Sequence, residues 1–374
     1  MPPSTHSVGT VTTESDGPCD AHSVQPNSEF FFVYPGDLDT RTGGYTYDKR
    51  LIEELGLLGL RINPVSLPHC SLDMNQSARR RVQEKLAAIP EGSVVVMDGL
   101  ALGVLDRETT EVRNRLRLVA LCHHPLALES GLNSAEQSQL FESERRALAN
   151  VHATLVTSES TRRILTDDFG VGEDSITVAV PGTDRRPFAA CTGSPPRLLT
   201  VGSLTRRKAH DVLISALADL AALDWEARFV GGDHFDAKWA QRLRAQVAAE
   251  NLEHRIQFAG LVPDVEPEYQ QADVFILPSR FEGYGMVFAE ALSAGLPVIA
   301  AKAGAVPDVV PGTAGLLVAP DDPEALAEAI HKLLTTAGLR QQLQQGARAC
   351  AAELPTWRDS AEKVCRRLRE VSRA

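Results

Sequence analysis

The sequence predicts an α/β protein made of two Rossmann-like, doubly wound domains facing each other across a cleft. Three observations carry that expectation. Short apolar runs of strand type alternate with helix-length segments along nearly the whole chain, the pattern of βαβ units on parallel sheets. The alternation breaks over residues 185–196, where Pro187, Gly193, Pro195 and Pro196 cluster, and then restarts. The chain has 374 residues, enough for two full cores, and no internal repeat of solenoid period.

Residues 1–28 hold no Lys or Arg and no apolar stretch, and are rich in Ser, Thr, Pro and Gly. They read as a disordered tail, not a secretory signal. The first domain, residues 29–190, opens on a strand over 30–33. A loop follows and ends in Gly43-Gly44. A helix is expected from about Tyr45, with Leu51, Ile52, Leu55 and Leu58 at helical spacing. Further strands are expected at 62–65, 94–97, 118–121, 153–156 and 176–180, with helices over 75–89 and 134–149 among the connections.

The second domain, residues 191–355, has strand runs at 198–201, 227–230, 256–259, 274–277, 298–300 and 316–318. Helical segments separate them. A last helix over 356–374 is expected to pack back towards the first domain. The segment 286–294 is apolar on nearly every face and is closed by Gly295 and Pro297, so it reads as a buried helix. Yet it carries Glu290. An unpaired buried carboxylate is costly, so Glu290 requires a polar partner.

Composition narrows the function classes. Apolar residues make up 43% and charged residues 23%, the balance of a water-soluble globular protein. A formal net charge of −11 argues against nucleic acid as the partner. Six cysteines lie scattered with no C-x-x-C pair, as expected of reduced thiols in the cytoplasm, not of disulfides or zinc sites. No apolar run is long enough to span a bilayer. The cations Arg79, Arg80, Arg81 and Lys85 on one helical segment read as a solvated face in preference to a membrane-docking surface. The sequence carries no signal for oligomeric state.

In open α/β sheets, ligands bind beyond the carboxyl ends of the strands. In the first half that rule selects residues 35–44, Asp98-Gly99 and His123-His124. In the second it selects residues 202–208, the loop holding Val262, residues 282–285 and Gly304. Arg206, Arg207 and Lys208 follow Gly202 at a strand end, and such cations hold a diphosphate, although a solvated basic turn has the same composition. Gly283 and Gly285, with the helix that starts at Met286, offer backbone N–H groups to an anion. Gly43-Gly44 lets backbone come close to a ligand or serves only the turn. Adjacent imidazoles at a strand end suggest a functional loop. Asp37-Leu38-Asp39 has the form of a metal-binding D-x-D but reads as loop polarity, and no metal is expected.

These residues together resemble a known family. Phe281-Glu282-Gly283-Tyr284-Gly285 through Glu290 and on to Pro297-Val298 looks like the Glu–seven–Glu signature of retaining glycosyltransferases of family 4, which have the GT-B fold. Residues 202–208, 304–310 and 315–318 resemble that family's phosphate loop, its "GG-x-P-E-x-V" segment and its "GLLV" strand. Pro181-Gly182-Thr183-Asp184 resembles the end of its first domain. Ser203, Ala209, Ala303, Ala305 and Asp308 depart from its usual residues. Ser203 stands where many members have Arg, and the phosphate bond of that Arg is expected to pass to Arg206 or Arg207.

The resemblance implies a nucleotide-sugar donor, UDP-linked in the first place and GDP-linked in the second, and a small-molecule or glycan acceptor. Glu282 would hold donor-sugar hydroxyls, Glu290 the ribose, and Arg207 and Lys208 the leaving diphosphate. Amides around Tyr284 and Gly285 would assist, with Gly43-Gly44 beside the diphosphate. His123 or His124 would stand near the sugar, and Tyr45 and Asp98 on the acceptor side. A nucleotide-sugar 2-epimerase of the same shape and a non-catalytic nucleotide-sugar binder are the competing readings. Removing Glu282 is expected to abolish transfer and to spare folding.

Overall fold

The structure, a computed structural model, describes residues 29–373, and the tail expected over 1–28 lies outside the described residues. The first half runs β1 (Phe30–Pro35), α1 (Gly43–Leu57), β2 (Ile62–Leu67), α2 (Gln76–Ala87), β3 (Val94–Asp98), α3 (Gly99–Leu102) and α4 (Asp106–Val112). It continues with β4 (Arg117–Cys122), α5 (Ser134–Leu148), β5 (Ala153–Val156), α6 (Glu159–Asp167) and β6 (Ile176–Val178). The second half runs β7 (Arg197–Val201), α7 (His210–Ala218), β8 (Glu226–Val230), α8 (Ala237–Ala249), β9 (Ile256–Gly260), α9 (Glu266–Gln270), β10 (Val274–Leu277) and α10 (Met286–Ser293). It ends with β11 (Val298–Ala301), α11 (Val306–Val309), β12 (Gly315–Val318), α12 (Pro323–Thr335), α13 (Leu339–Glu353) and α14 (Trp357–Arg373).

Each half is one six-stranded parallel sheet, ordered β2-β1-β3-β4-β5-β6 and β12-β11-β10-β7-β8-β9. The central strands β3, β4, β10 and β11 are buried along nearly their whole length, which is why they read as unbroken apolar runs. Strand order reverses between β1 and β3 in the first sheet, and between β7 and β10 in the second. At such a reversal the loops leave on opposite faces and open a crevice. The loops after β1, β3, β7 and β10 therefore frame the site.

Local capping sets where two of the helices start. The helix α1 begins at Gly43, not Tyr45, because Thr42 caps it and accepts a hydrogen bond from the Tyr45 amide. Both glycines thus lie in its first turn. The helix α7 begins at His210 because Ala209 takes a left-handed conformation, φ 53°.

The last helix belongs to the first core. Ala361, Val364, Cys365 and Leu368 of α14 pack with Tyr47, Leu51 and Leu55 of α1. The Tyr47 hydroxyl donates to the Ala179 carbonyl and lies 3.3 Å from Ser360 Oγ. The two crossings between halves run side by side, joined by the Thr183 amide to the Pro355 carbonyl at 2.9 Å. Leu368→Ala, at a fully buried position, is expected to cost about 2–5 kcal/mol by urea denaturation. A loss below about 0.5 kcal/mol, the size of an ordinary surface substitution, would mean that α14 is not part of that core.

Candidate active site

Three loops of the second half meet at Glu282. Its Oε1 accepts hydrogen bonds from Lys208 Nζ and Ser279 Oγ, each at 2.6 Å, and its Oε2 from Arg207 Nη1 at 3.0 Å. Arg207 and Lys208 sit on a short 3₁₀ turn after β7, and the left-handed Ala209 then turns the chain into α7. The loop of Glu282 is tied to that turn through the Arg280 amide on the Arg207 carbonyl and Arg207 Nη1 on the Phe281 carbonyl. The Arg280 guanidinium forks onto Asp211 of α7 at 2.8 and 3.1 Å. The loop after β11 closes the third side, with the Ala305 amide on the Glu282 carbonyl. Gly304 is required there, because a Cβ would stand 2.1 Å from that same carbonyl oxygen.

Burial alone would raise the pKa of Glu282. The charges of Lys208 and Arg207 outweigh it and hold the carboxyl down at about 2. Arg207 also faces Glu129 of the first half, Nε to Oε1 at 3.4 Å. The two cations are thus matched by two carboxylates. Burial lowers the pKa of Lys208 despite its anion.

Arg206 stands apart from this cluster, which corrects its grouping with Arg207 and Lys208. Its guanidinium lies 4.5 Å from the Trp239 ring centroid and 3.9 Å from Asp236. Gly202 packs on the Lys208 stem, where a Cβ would touch it at 3.4 Å.

The partner that Glu290 requires lies within the chain. Its Oε2 accepts from the Tyr269 hydroxyl at 2.8 Å, with Arg186 Nη2 at 3.9 Å. Arg186 also lies over the Tyr269 ring and pairs with Glu266. Burial raises the Glu290 pKa, opposed by Arg186 and the tyrosine hydroxyl. Gly285, at φ 88°, caps α10, and Tyr284 and Met286 flank it half-buried.

The first half approaches from the other side. His123 and His124 follow the end of β4 and meet different partners, which distinguishes the two. His123 Nε2 lies 2.9 Å from Asp48 Oδ1 and 3.5 Å from Asp98 Oδ2. His124 Nε2 contacts Glu129 Oε2 at 3.1 Å, and its ring lies 5.9 Å from that of Phe281 in the second half. Gly44 stands against the His123 ring and Gly43 against the Met286 sulfur, at 3.5 and 3.8 Å from where each Cβ would be.

Asp98 caps α3 through the Leu100 amide. Tyr45 donates its hydroxyl to the Pro35 carbonyl at 2.6 Å, so that proton is already engaged. Of the Asp37-Leu38-Asp39 segment, Asp39 pairs with Lys49 at 2.7 Å. The halves touch directly: Gly283 leaves no room for a Cβ beside the His123 carbonyl, Thr161 Oγ1 donates to the Gly283 carbonyl, and Arg41 Nη1 donates to the Val262 carbonyl.

Sequence reading missed Asp48, Glu129, Ser279, Tyr269 and Arg186. Asp48 had a visible signal, a carboxylate one turn before Leu51 and two before Leu55 on the buried stripe of α1. Ser279 lies on the Glu282 loop itself, three residues before it, whereas Glu129, Tyr269 and Arg186 come from segments that only the fold brings in.

Residues 195–336 match a family model described as "Glycosyl transferases group 1". The D-inositol 3-phosphate glycosyltransferase of Corynebacterium diphtheriae is 29% identical over 272 residues, 66% of this chain and 64% of that protein. The match therefore spans somewhat less than two thirds of that relative. Sucrose-phosphate synthase from Thermosynechococcus elongatus aligns with TM-score 0.74 at 21% identity, over 90% of this chain and 97% of the other. HepE of Anabaena, solved in complex with UDP-glucose, aligns with TM-score 0.73 at 17% identity, over 90% and 99%. The fold is GT-B.

The ion pairs of Glu282 argue against the expectation that its removal spares folding. Glu282→Ala strips Lys208 of its anion and leaves Arg207 with Glu129 alone, at a cost of about 3–5 kcal/mol. Because the folded pKa lies below the unfolded one, the Glu282 contribution is present above about pH 4.5 and lost as pH falls through about 2. Urea midpoints should separate at neutral pH and converge towards about pH 2; equal midpoints at neutral pH would contradict the ion-pair role.

Proposed function

We propose that this protein is a retaining glycosyltransferase of the family-4 type. It moves a hexose from a nucleoside diphosphate donor, with UDP as the first candidate and GDP as the second, to a small-molecule or glycan acceptor. The observation that carries this reading is the buried Glu282 carboxylate bridging Lys208 and Arg207 at the strand-order reversal of the second sheet, facing the His123–Glu129 loop. Arg and Lys side chains fixed at a strand end suit a diphosphate. The UDP-glucose complex of HepE supports UDP as the first candidate.

On this reading catalysis is electrostatic. Lys208 and Arg207 are already oriented, so they take up charge on the leaving diphosphate with little reorganisation. Both Glu282 oxygens are engaged by hydrogen-bond donors, an arrangement that suits organising cations and sugar hydroxyls better than nucleophilic attack. The acceptor would then attack on the face the diphosphate leaves, without a covalent enzyme intermediate. Glu290 has Oε2 engaged by Tyr269 and offers its other oxygen to the ribose hydroxyls. The cations supply the charge that the departing phosphate needs, so the mechanism requires no metal.

A thermal-shift panel of UDP-, GDP- and ADP-sugars tests the donor class, and incubation with the stabilising donor alone separates transfer from epimerisation. Lys208→Ala and Arg207→Ala should each weaken UDP binding about 10- to 100-fold by calorimetry, the weight of a hydrogen bond to a charged group. Unchanged affinity in both variants would remove the diphosphate from this site.

A further inference from the structure

The helix α1 carries a carboxylate where its buried stripe should be apolar. Asp48 is completely enclosed, and its neighbours on the stripe are Tyr47, Leu51 and Leu55. Its Oδ1 meets His123 Nε2 at 2.9 Å, while its Oδ2 has no hydrogen-bond partner among the described residues. Asp98, from the end of β3, brings a second carboxylate to the same ring nitrogen at 3.5 Å. Two buried carboxylates from separate elements thus converge on one imidazole. Tyr47 packs edge-on to the ring at 5.3 Å and fixes its plane.

A carboxylate has only lone pairs to offer, so the bond to Asp48 requires a proton on Nε2. Nδ1 has no hydrogen-bond partner among the described residues. The imidazole is also the accessible member of the trio, 18% exposed against 0% and 1% for Asp48 and Asp98. The groups facing the ring are Asp48 and Tyr47 on α1, Asp98 on β3, and Gly44, with the Gly283 backbone against the His123 carbonyl from the second half.

We infer that Asp48, together with Asp98, is a positioning residue that holds His123 as a doubly protonated imidazolium, so that Nδ1–H donates to an oxygen of the bound donor or acceptor and the ring does not act as a base. The substrate half of this inference rests on the glycosyltransferase reading, and the protonation half does not. Burial opposes the charge on His123, but the two carboxylates outweigh it and raise its pKa to about 10. Burial raises the Asp48 pKa, with His123 opposing the rise and Asp98 adding to it.

The test begins on the free protein. Histidine-labelled samples give the His123 ring nitrogen signals by NMR, assigned with His123→Gln. Wild-type His123 should keep both ring protons from about pH 6 to about pH 8.5, and in Asp48→Asn it should titrate closer to the ordinary histidine value of about 6.5. A neutral His123 at pH 7 in the wild type overturns the inference, and that measurement stands even if Asp48→Asn does not fold. A His123 titration unchanged in folded Asp48→Asn overturns the role of Asp48. Site-specific broadening of the His123 signals by manganese(II) chloride would also overturn it, by making the trio a cation site.

UDP-glucose hydrolysis is the functional arm. Wild-type kcat/KM should be flat over that range, and the variant should lose about tenfold for each pH step of one above its new histidine pKa. Matching profiles would overturn the substrate half. If UDP-glucose is not bound at all, the donor assignment fails, and the NMR result still decides the protonation state.

Discussion

The whole cleft depends on a single anion. Glu282 lies nearly enclosed between the loops after β7, β10 and β11, and it stays ionised because Lys208, Arg207 and Ser279 direct their hydrogen bonds to it. Without that carboxylate the cations would repel each other in a poorly solvated place. Without the cations the carboxylate would take up a proton. The strand-order reversal supplies the position and the ion cluster supplies the rigidity, so a phosphate-sized ligand meets donors already aimed.

The interface between the halves follows the same pairing of charge. Glu129 reaches from the first half to Arg207 and is itself held by His124, so Arg207 and Lys208 each have an anion in the free protein. Interactions without charge pairing complete the interface, at Gly283 against the His123 carbonyl and at Arg41 on the Val262 carbonyl. A donor diphosphate entering here would exchange with internal carboxylates as well as with water. Affinity would then be set by the difference between those partners, not by the number of cations.

Most of the fold was legible because buried parallel strands are nearly pure apolar runs and the helices between them carry stop signals. The site was legible where the rule for strand carboxyl ends selects the loop that carries a residue. Glu282, Arg207 and Lys208 lie on loops that the strand-end rule selects, and they do meet. Arg206 belongs to the same run of cations yet turns to Trp239, because side-chain direction on a 3₁₀ turn changes by a third of a revolution per residue. Glu290 was recognised as needing a partner, but Tyr269 and Arg186 come from segments that sequence order does not connect to it. Asp48 was legible in principle as a charge on an apolar stripe, and its meaning came only with His123 beside it. At Ala209 the usual glycine is absent and the left-handed turn persists, so tertiary structure there outweighs residue preference.

The return of α14 to the first sheet bears on how the chain is made. Ribosomes release the first half long before residues 357–373 exist, so the apolar face of α1 and the sheet behind it stay uncovered while the entire second half is translated. The first half would complete its core last although it emerges first. During that interval an exposed surface of Tyr47, Leu51 and Leu55 is open to chaperones or to misassociation. Truncation near the C-terminus would thus strike the half of the protein farthest from it in sequence.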